Sequence, residues 1–154
     1  ANEVVYFNKD VYETKPKIMF RQTADHVIAA VDYEGRWFDG SVIGLIPTPN
    51  SPYAIEYIAG LLNSTHLKTI YQALVQETGR VFAQVKLAKV KQLPLRLIDF
   101  QNSEDTAKHD KIVSLVRELN ALNEDSSAQD ANSIKYQAAT RQIDQVVNEL
   151  YGLS

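Results

Sequence analysis

The apolar residues of this 154-residue chain change their spacing near its first third, and this change most constrains the fold. Before Pro47 they fall in short β-branched runs that end at turn residues, the pattern of strands. After Pro52 they recur every three or four residues, the pattern of amphipathic helices. The chain is therefore predicted to be α+β: a small antiparallel or mixed sheet with helices, followed by a C-terminal antiparallel helical hairpin.

Three segments before this change are predicted strands because they are short, β-branched and bounded by turn residues. They are residues 17–22 (KIMFRQ), 26–32 (HVIAAVD) and 41–47 (SVIGLIP). Turns are expected at residues 32–35 and at Asp39 and Gly40, which would make the sheet an antiparallel meander. Residues 1–14 show no clear period and are interpreted as an N-terminal extension.

The first helical region is predicted to begin at Ser51, a capping residue followed by Pro52. Asn63 and Ser64 should interrupt it, and Gly79 should end its second half. Residues 81–85 (VFAQV) are then predicted to be a strand. Residues 86–91 are predicted to form a short helical turn with Leu87 and Val90 inward.

The last third of the chain is predicted to be two long helices joined by a polar loop. Ser103 is expected to cap the first helix, and Gly152 follows the second. Residues 15–100 are thus expected to form one α+β unit, with residues 101–154 packing on it as a helical hairpin.

The composition removes several function classes. The chain has no cysteine, which excludes disulfides, thiolate zinc sites and cysteine nucleophiles. No apolar run approaches the roughly 20 residues of a membrane-spanning helix. Polar residues near the start argue against a signal peptide, and the absence of cysteine fits the expected cytoplasmic location. The first residue is Ala1 rather than methionine, which predicts a fragment of a longer protein.

The charge is distributed unevenly, although the chain as a whole carries only −3. Residues 15–96 hold ten lysines and arginines against six acids, while residues 97–154 hold five against ten. A basic central part in an acidic protein favours a polyanionic partner, although solvated faces also gather charges by chance.

Motifs for chemistry are weak or missing. The histidines lie far apart, so no metal site is predicted, and no phosphate loop or nucleophile elbow occurs. Residues 50–53 (NSPY) resemble the (N/D)PPY motif of amino-methylating DNA methyltransferases, yet a helix start also explains them. Acids around Glu104 and Lys108 resemble a nuclease site, but acids also favour a helix start. No catalytic residue, metal or bound cofactor is therefore predicted.

Six segments in order resemble one family. They are KIMFRQ, DYEGRWF, YIAGLLNSTHL, GRVFAQVKLAKVKQLPL, IVSLVRELNALN and IDQVVNELYGLS. Over residues 15–154 the chain resembles the TaqI-like C-terminal specificity domain of type II and type IIG restriction–modification methylases. It is also similar to one half of a type I specificity subunit, in which a recognition domain precedes a long helix.

This resemblance implies a target recognition domain that binds double-stranded DNA and carries no chemistry of its own. The parent protein would be an N6-adenine DNA methyltransferase, with S-adenosylmethionine bound in an upstream methyltransferase domain of the same chain. In a type IIG parent an endonuclease would also be fused. An alternative is an interaction module whose helices dock methyltransferase or restriction subunits, and a small enzyme of unknown chemistry is a third.

Candidate DNA-binding residues are cations and hydrogen-bonding side chains near turns of the basic central part. Arginine and lysine bind phosphates, while arginine and glutamine can also read guanine and adenine edges. For each residue, the alternative is an ordinary surface cation or, for Trp37, a core aromatic side chain. The candidates are Arg21, Gln22, Thr23, Arg36, Trp37, Arg80, Lys86, Lys89 and Lys91.

Overall fold

A computed structural model describes residues 8–76, 83–124 and 129–153 of the chain. It contains one small sheet and helices of very different lengths. The elements are, in order, α1 (Lys9–Tyr12), β1 (Lys17–Arg21), β2 (Ala29–Asp32), β3 (Val42–Leu45), α2 (Ile55–Asn63), α3 (Thr65–Val75), α4 (Leu87–Val90), α5 (Ser103–Glu124) and α6 (Gln129–Leu150). The predicted α+β fold class is confirmed.

The sheet is antiparallel and has the order β2-β1-β3. The predicted meander is therefore wrong in its strand order, because β3 pairs with β1 and not with β2. Ile18 lies opposite Val31 on one side and opposite Leu45 on the other. The loop of residues 33–41 has to return along the sheet so that Val42 can pair with Arg21, where β1 ends.

The two faces of β1 have different surroundings. Ile18 and Phe20 are buried in an apolar cluster with residues of α2 and α3. Side chains alternate along a strand, so Lys17, Met19 and Arg21 belong to the opposite face. The loop returns across that face, and a Cβ added to Gly44 would overlap the ring of Phe38.

Helix α2 begins three residues later than predicted. Ala54 stands at its N-cap position, so the prediction that Ser51 and Pro52 begin the helix is wrong. The predicted interruption at Asn63 and Ser64 is confirmed: α2 ends at Asn63, and the Ser64 hydroxyl accepts a hydrogen bond from Leu67 N at the start of α3.

Helices α5 and α6 form the predicted C-terminal helical pair. The cap of α5 is Asn102, one residue before the predicted Ser103, because its Oδ1 accepts hydrogen bonds from Glu104 N and Asp105 N. Ile112 in the first half of α5 lies in one cluster with Val147 in the second half of α6, as an antiparallel pair requires.

Helix α2 is shared by two apolar clusters. Ile55, Ala59 and Leu62 belong to the cluster that covers the sheet. Tyr57 and Leu61, on the other side of the helix, belong to the cluster with α5 and α6. The sheet and the helical pair are therefore held together through one helix. The predicted division of the chain after residues 14 and 100 stays a prediction.

The segment after α3 agrees only in part with the elements that were predicted from the sequence. Gly79 and the first two residues of the predicted strand 81–85 lie outside the described residues, and Gln84 forms an isolated bridge with Thr23. The short helical turn exists as α4, with Val90 buried as predicted. Leu87 is 37% exposed, so its predicted inward position is wrong.

Candidate nucleic-acid interface

A long-range bridge joins two of the predicted DNA-binding segments. Thr23 pairs antiparallel with Gln84, and Val85 N donates a 2.7 Å hydrogen bond to Gln22 O. Residues 22–23 and 84–85, about 60 positions apart in sequence, therefore lie side by side.

The lysines of this surface are carried by a short, anchored segment. Lys86 N donates a hydrogen bond to the Tyr71 hydroxyl, and buried Val90 fixes α4 against the apolar core. Lys86 and Lys91 are exposed, and Lys89 is half-buried. We call residues 21–23 together with Lys86, Lys89 and Lys91 the basic edge. Arg80 lies outside the described residues.

Arg36 and Trp37 lie elsewhere, in the loop between β2 and β3, and both have acidic neighbours. A guanidinium nitrogen of Arg36 lies 2.8 Å from Glu34 Oε2. Trp37 stacks on Tyr12 with ring centroids 5.0 Å apart, and its Nε1 donates to Glu13 Oε1 at 3.4 Å. Trp37 is 52% exposed, so the interpretation as a core residue is wrong.

A buried ion pair holds this loop to the sheet. Lys17 is fully buried, and its Nζ donates to Asp32 Oδ2 at 2.6 Å and to the carbonyl oxygens of Tyr12 and Thr14 at 2.7 and 3.2 Å. Asp32 also accepts hydrogen bonds from the backbone N–H groups of Glu34 and Arg36. The pair thus joins α1, the sheet and the start of the loop.

The environment of Asp32 shifts its ionisation. Burial alone would raise the pKa of this carboxyl group, but hydrogen bonds from Lys17, Glu34 and Arg36, with the positive charge of Lys17, lower it below the usual value. The carboxylate is therefore fully charged at neutral pH. Sequence reasoning missed this pair, because a lysine on a strand is normally a surface residue.

Residues of the two weak motifs make contacts that stabilise the fold. Tyr53, the last residue of NSPY, packs against Phe100 and Tyr57, and its hydroxyl accepts a hydrogen bond from Ile98 N. Glu104 and Lys108 form a 2.9 Å ion pair one turn apart on α5. Within residues 8–76, 83–124 and 129–153, no cluster of histidines and acids could hold a metal ion.

The family model of the TaqI-like C-terminal specificity domain matches residues 2–95, which include the sheet, α2, α3 and α4. The chain belongs to this family. Membership indicates DNA target recognition in restriction–modification methyltransferases, in the role of specificity domain and not of catalytic domain. The match ends before α5 and α6, whereas the resemblance in the sequence extended to residue 154.

No curated protein matches the chain. Among the described residues, no helix has both the length and the apolar character that crossing a membrane requires.

Proposed function

We propose that this chain reads double-stranded DNA for an N6-adenine methyltransferase of a restriction–modification system, and that the basic edge contacts the duplex. The Thr23–Gln84 bridge is the observation that carries this proposal. It joins the segment of the potential base-reading residues Arg21 and Gln22 to the segment that leads into α4, whose lysines suit phosphates. The methyltransferase domain that holds S-adenosylmethionine would precede this domain in the parent chain, and the system would act in the cytoplasm.

The basic edge suits DNA because its backbone is fixed from two sides. Gln22 N donates to Ser41 O at 2.8 Å, and Gln22 O accepts from Val85 N. Side chains on a rigid backbone lose less conformational freedom when they bind. Phosphate contacts from the basic edge would fix the position of the domain along the duplex. Arg21 or Gln22 would then select the DNA sequence.

The test is duplex binding at several salt concentrations, measured on the protein that contains this domain together with its methyltransferase domain. Each lysine that neutralises one phosphate contributes about 0.9 to the slope of log K against log salt. The double variant Lys86→Ala/Lys89→Ala should flatten the slope by up to about 2 and weaken every sequence alike. Arg21→Ala should instead cost about 1–3 kcal/mol on the cognate site alone, if Arg21 reads a base.

A matched control removes two lysines from the helical pair. Lys111 and Lys135 are exposed on α5 and α6, and Lys111→Ala/Lys135→Ala changes the net charge equally. This control should leave affinity and salt slope unchanged. An unchanged slope in the Lys86/Lys89 variant would refute the basic edge as the DNA contact.

One observation favours a second role, in which the helical pair docks a protein subunit. Ile134 and Tyr136 on α6 are 73% and 40% exposed, which leaves apolar surface on the helical pair that is available to a partner subunit. Loss of subunit association in Ile134→Glu, with DNA affinity retained, would separate this role from DNA reading.

A further inference from the structure

A cleft of about 350 Å³ lies between strand β2, the junction of α2 and α3, and the helical pair. It is separate from the basic edge and from the loop that carries Trp37. Its walls combine apolar side chains, such as Val116, Leu119 and Ile143, with the amides of Asn120 and Asn123. Lys68 and Asp144 add charged groups, so polar and apolar surface line the cleft in similar amounts. Ligand sites typically combine apolar walls with polar groups that fix orientation.

Strand β2 is an edge strand, and its backbone groups face this cleft. Gln22 N bonds to Ser41 O, so the even-numbered residues of β1 pair with β3 and the odd-numbered ones pair with β2. Met19 therefore bonds with Ala30, and the N–H and C=O groups of Ala29 and Val31 point away from β1.

At Ala29 these outward groups are already satisfied by a side-chain amide. Asn63 Oδ1 accepts from Ala29 N at 2.7 Å, and Asn63 Nδ2 donates to Ala29 O at 2.8 Å. One planar group with an acceptor beside a donor thus pairs with a single residue of the strand. Val31, which lines the cleft, presents the same two groups about 7 Å further along β2.

The edge has no room for a whole additional strand. Asn63 closes it at one end, and Glu56 at the start of α2 accepts a hydrogen bond from Tyr33 beyond its other end. Helix α2 therefore runs beside β2 in the opposite direction. Between these two ends the edge offers the N–H and C=O groups of one residue, Val31, so the ligand that fits is compact and flat and not an extended peptide.

We propose that this cleft binds an adenine base, with the Val31 N–H donating to a ring nitrogen and the Val31 C=O accepting from the 6-amino group. Adenine carries an acceptor nitrogen next to its amino group, the arrangement that the Asn63 amide presents to Ala29. Asn120 and Asn123 also line the cleft, and an asparagine amide can form two hydrogen bonds with the adenine edge. A nucleoside is of a size that this volume holds.

The test is titration of the isotope-labelled protein with adenosine, without DNA. Saturable binding with a Kd of about 1 mM or lower is expected, together with a shift of the Val31 amide proton that exceeds that of Ala29. N6,N6-dimethyladenosine has no amino proton to donate, so it should bind about tenfold more weakly. A short thymine strand with one adenine is tested in parallel, because the base could come from a free nucleoside or from a nucleic acid strand.

Substitutions on α6 provide the matched controls. Thr140 lines the cleft, and Thr140→Trp should fill it and weaken adenosine binding at least about tenfold. Gln137 is exposed on the same helix, is not part of the lining, and Gln137→Trp should bind as the unchanged protein does. No saturable binding of either probe, or equal binding by Thr140→Trp and Gln137→Trp, would overturn the proposal.

Discussion

The ammonium nitrogen of Lys17 lies 2.6 Å from Oδ2 of Asp32, and both side chains are buried. Removing one partner leaves the other charge buried and uncompensated, which typically costs about 3–5 kcal/mol. Lys17→Met should therefore lower the free energy of unfolding by about this amount, as measured by urea denaturation. Lys15 is exposed two residues earlier, and Lys15→Met should change stability by less than about 0.5 kcal/mol. Equal stability of the two variants would show that the pair contributes nothing.

The same pair predicts a pH dependence. The pKa of Asp32 in the folded chain is below its usual 3.8, so its contribution to stability is complete above about pH 4. That contribution is lost as the pH falls through the folded pKa, because the unfolded chain then takes up the proton first. The difference in unfolding free energy between the unchanged chain and Asp32→Asn should therefore narrow below about pH 4. A difference that stays constant from pH 6 to pH 2 would contradict this.

The start of α5 allows a test between the cap observed in the structure, Asn102, and the cap predicted from the sequence, Ser103. Asn102→Ala removes the acceptor of two backbone N–H groups and should cost about 0.5–2 kcal/mol. Ser103→Ala, at the position that the sequence favoured as the cap, should be close to neutral. Thermal denaturation of the two variants shows which residue caps α5. A larger loss of stability for Ser103→Ala than for Asn102→Ala would show that the cap is misassigned.

At Gly60 we expect alanine to change the stability in the opposite direction to the one that helix propensity predicts. Alanine in place of glycine inside a helix normally stabilises by about 1 kcal/mol. A Cβ at residue 60, however, would overlap Cγ2 of Ile112, which is fully buried on α5. Overpacking of this kind costs about 1–3 kcal/mol, so Gly60→Ala should destabilise the chain.

Two further variants show whether the cost at Gly60 comes from this contact. A Cβ at Gly40 meets nothing within 4 Å, so Gly40→Ala should show no such loss. Ile112→Leu moves the branch away from residue 60 and should restore part of the stability in the double variant. A stable Gly60→Ala chain would show that α2 and α5 are further apart than described.

Trp37 is the only tryptophan of the chain, so its fluorescence reports on the loop between β2 and β3. Its indole donates to Glu13 and stacks on Tyr12. Because acidic side chains repel phosphates, we expect its emission to stay unchanged when duplex DNA is added. Quenching that saturates with DNA would instead support Arg36 and Trp37 as DNA contacts, which stays a prediction of the sequence.

The sequence predicted well what depends on local spacing. The helical stripes and the break at Ser64 depend on residues within a few positions of each other, and the structure confirms both. The cap positions were wrong by one to three residues. At α5, Asn102 and Ser103 both carry suitable side chains and only the geometry selects between them, while α2 begins after Ala54, which has no capping side chain.

The sequence could not predict what depends on distant pairings. The placement of β3 beside β1, and the bridge from Thr23 to Gln84, follow from the way the whole chain packs. The burial of Lys17 depends on Asp32 and on two carbonyl groups, all of which meet only in the folded chain. The candidate lysines around α4 were therefore identifiable, while the pairing of the segment before them with Gln22 and Thr23 was not.

The position of α2 between two apolar clusters has a consequence for how the molecule unfolds. Leu61 and Leu62 are adjacent in sequence, yet one packs with the helical pair and the other with the sheet. Separating the two clusters would expose one side of α2 to water, so neither half has a low-energy route to open alone. The slowest-exchanging backbone amides of α2 should thus report a single cooperative transition. Exchange of recognition modules between enzymes would then have to move α5 and α6 along with the matched segment.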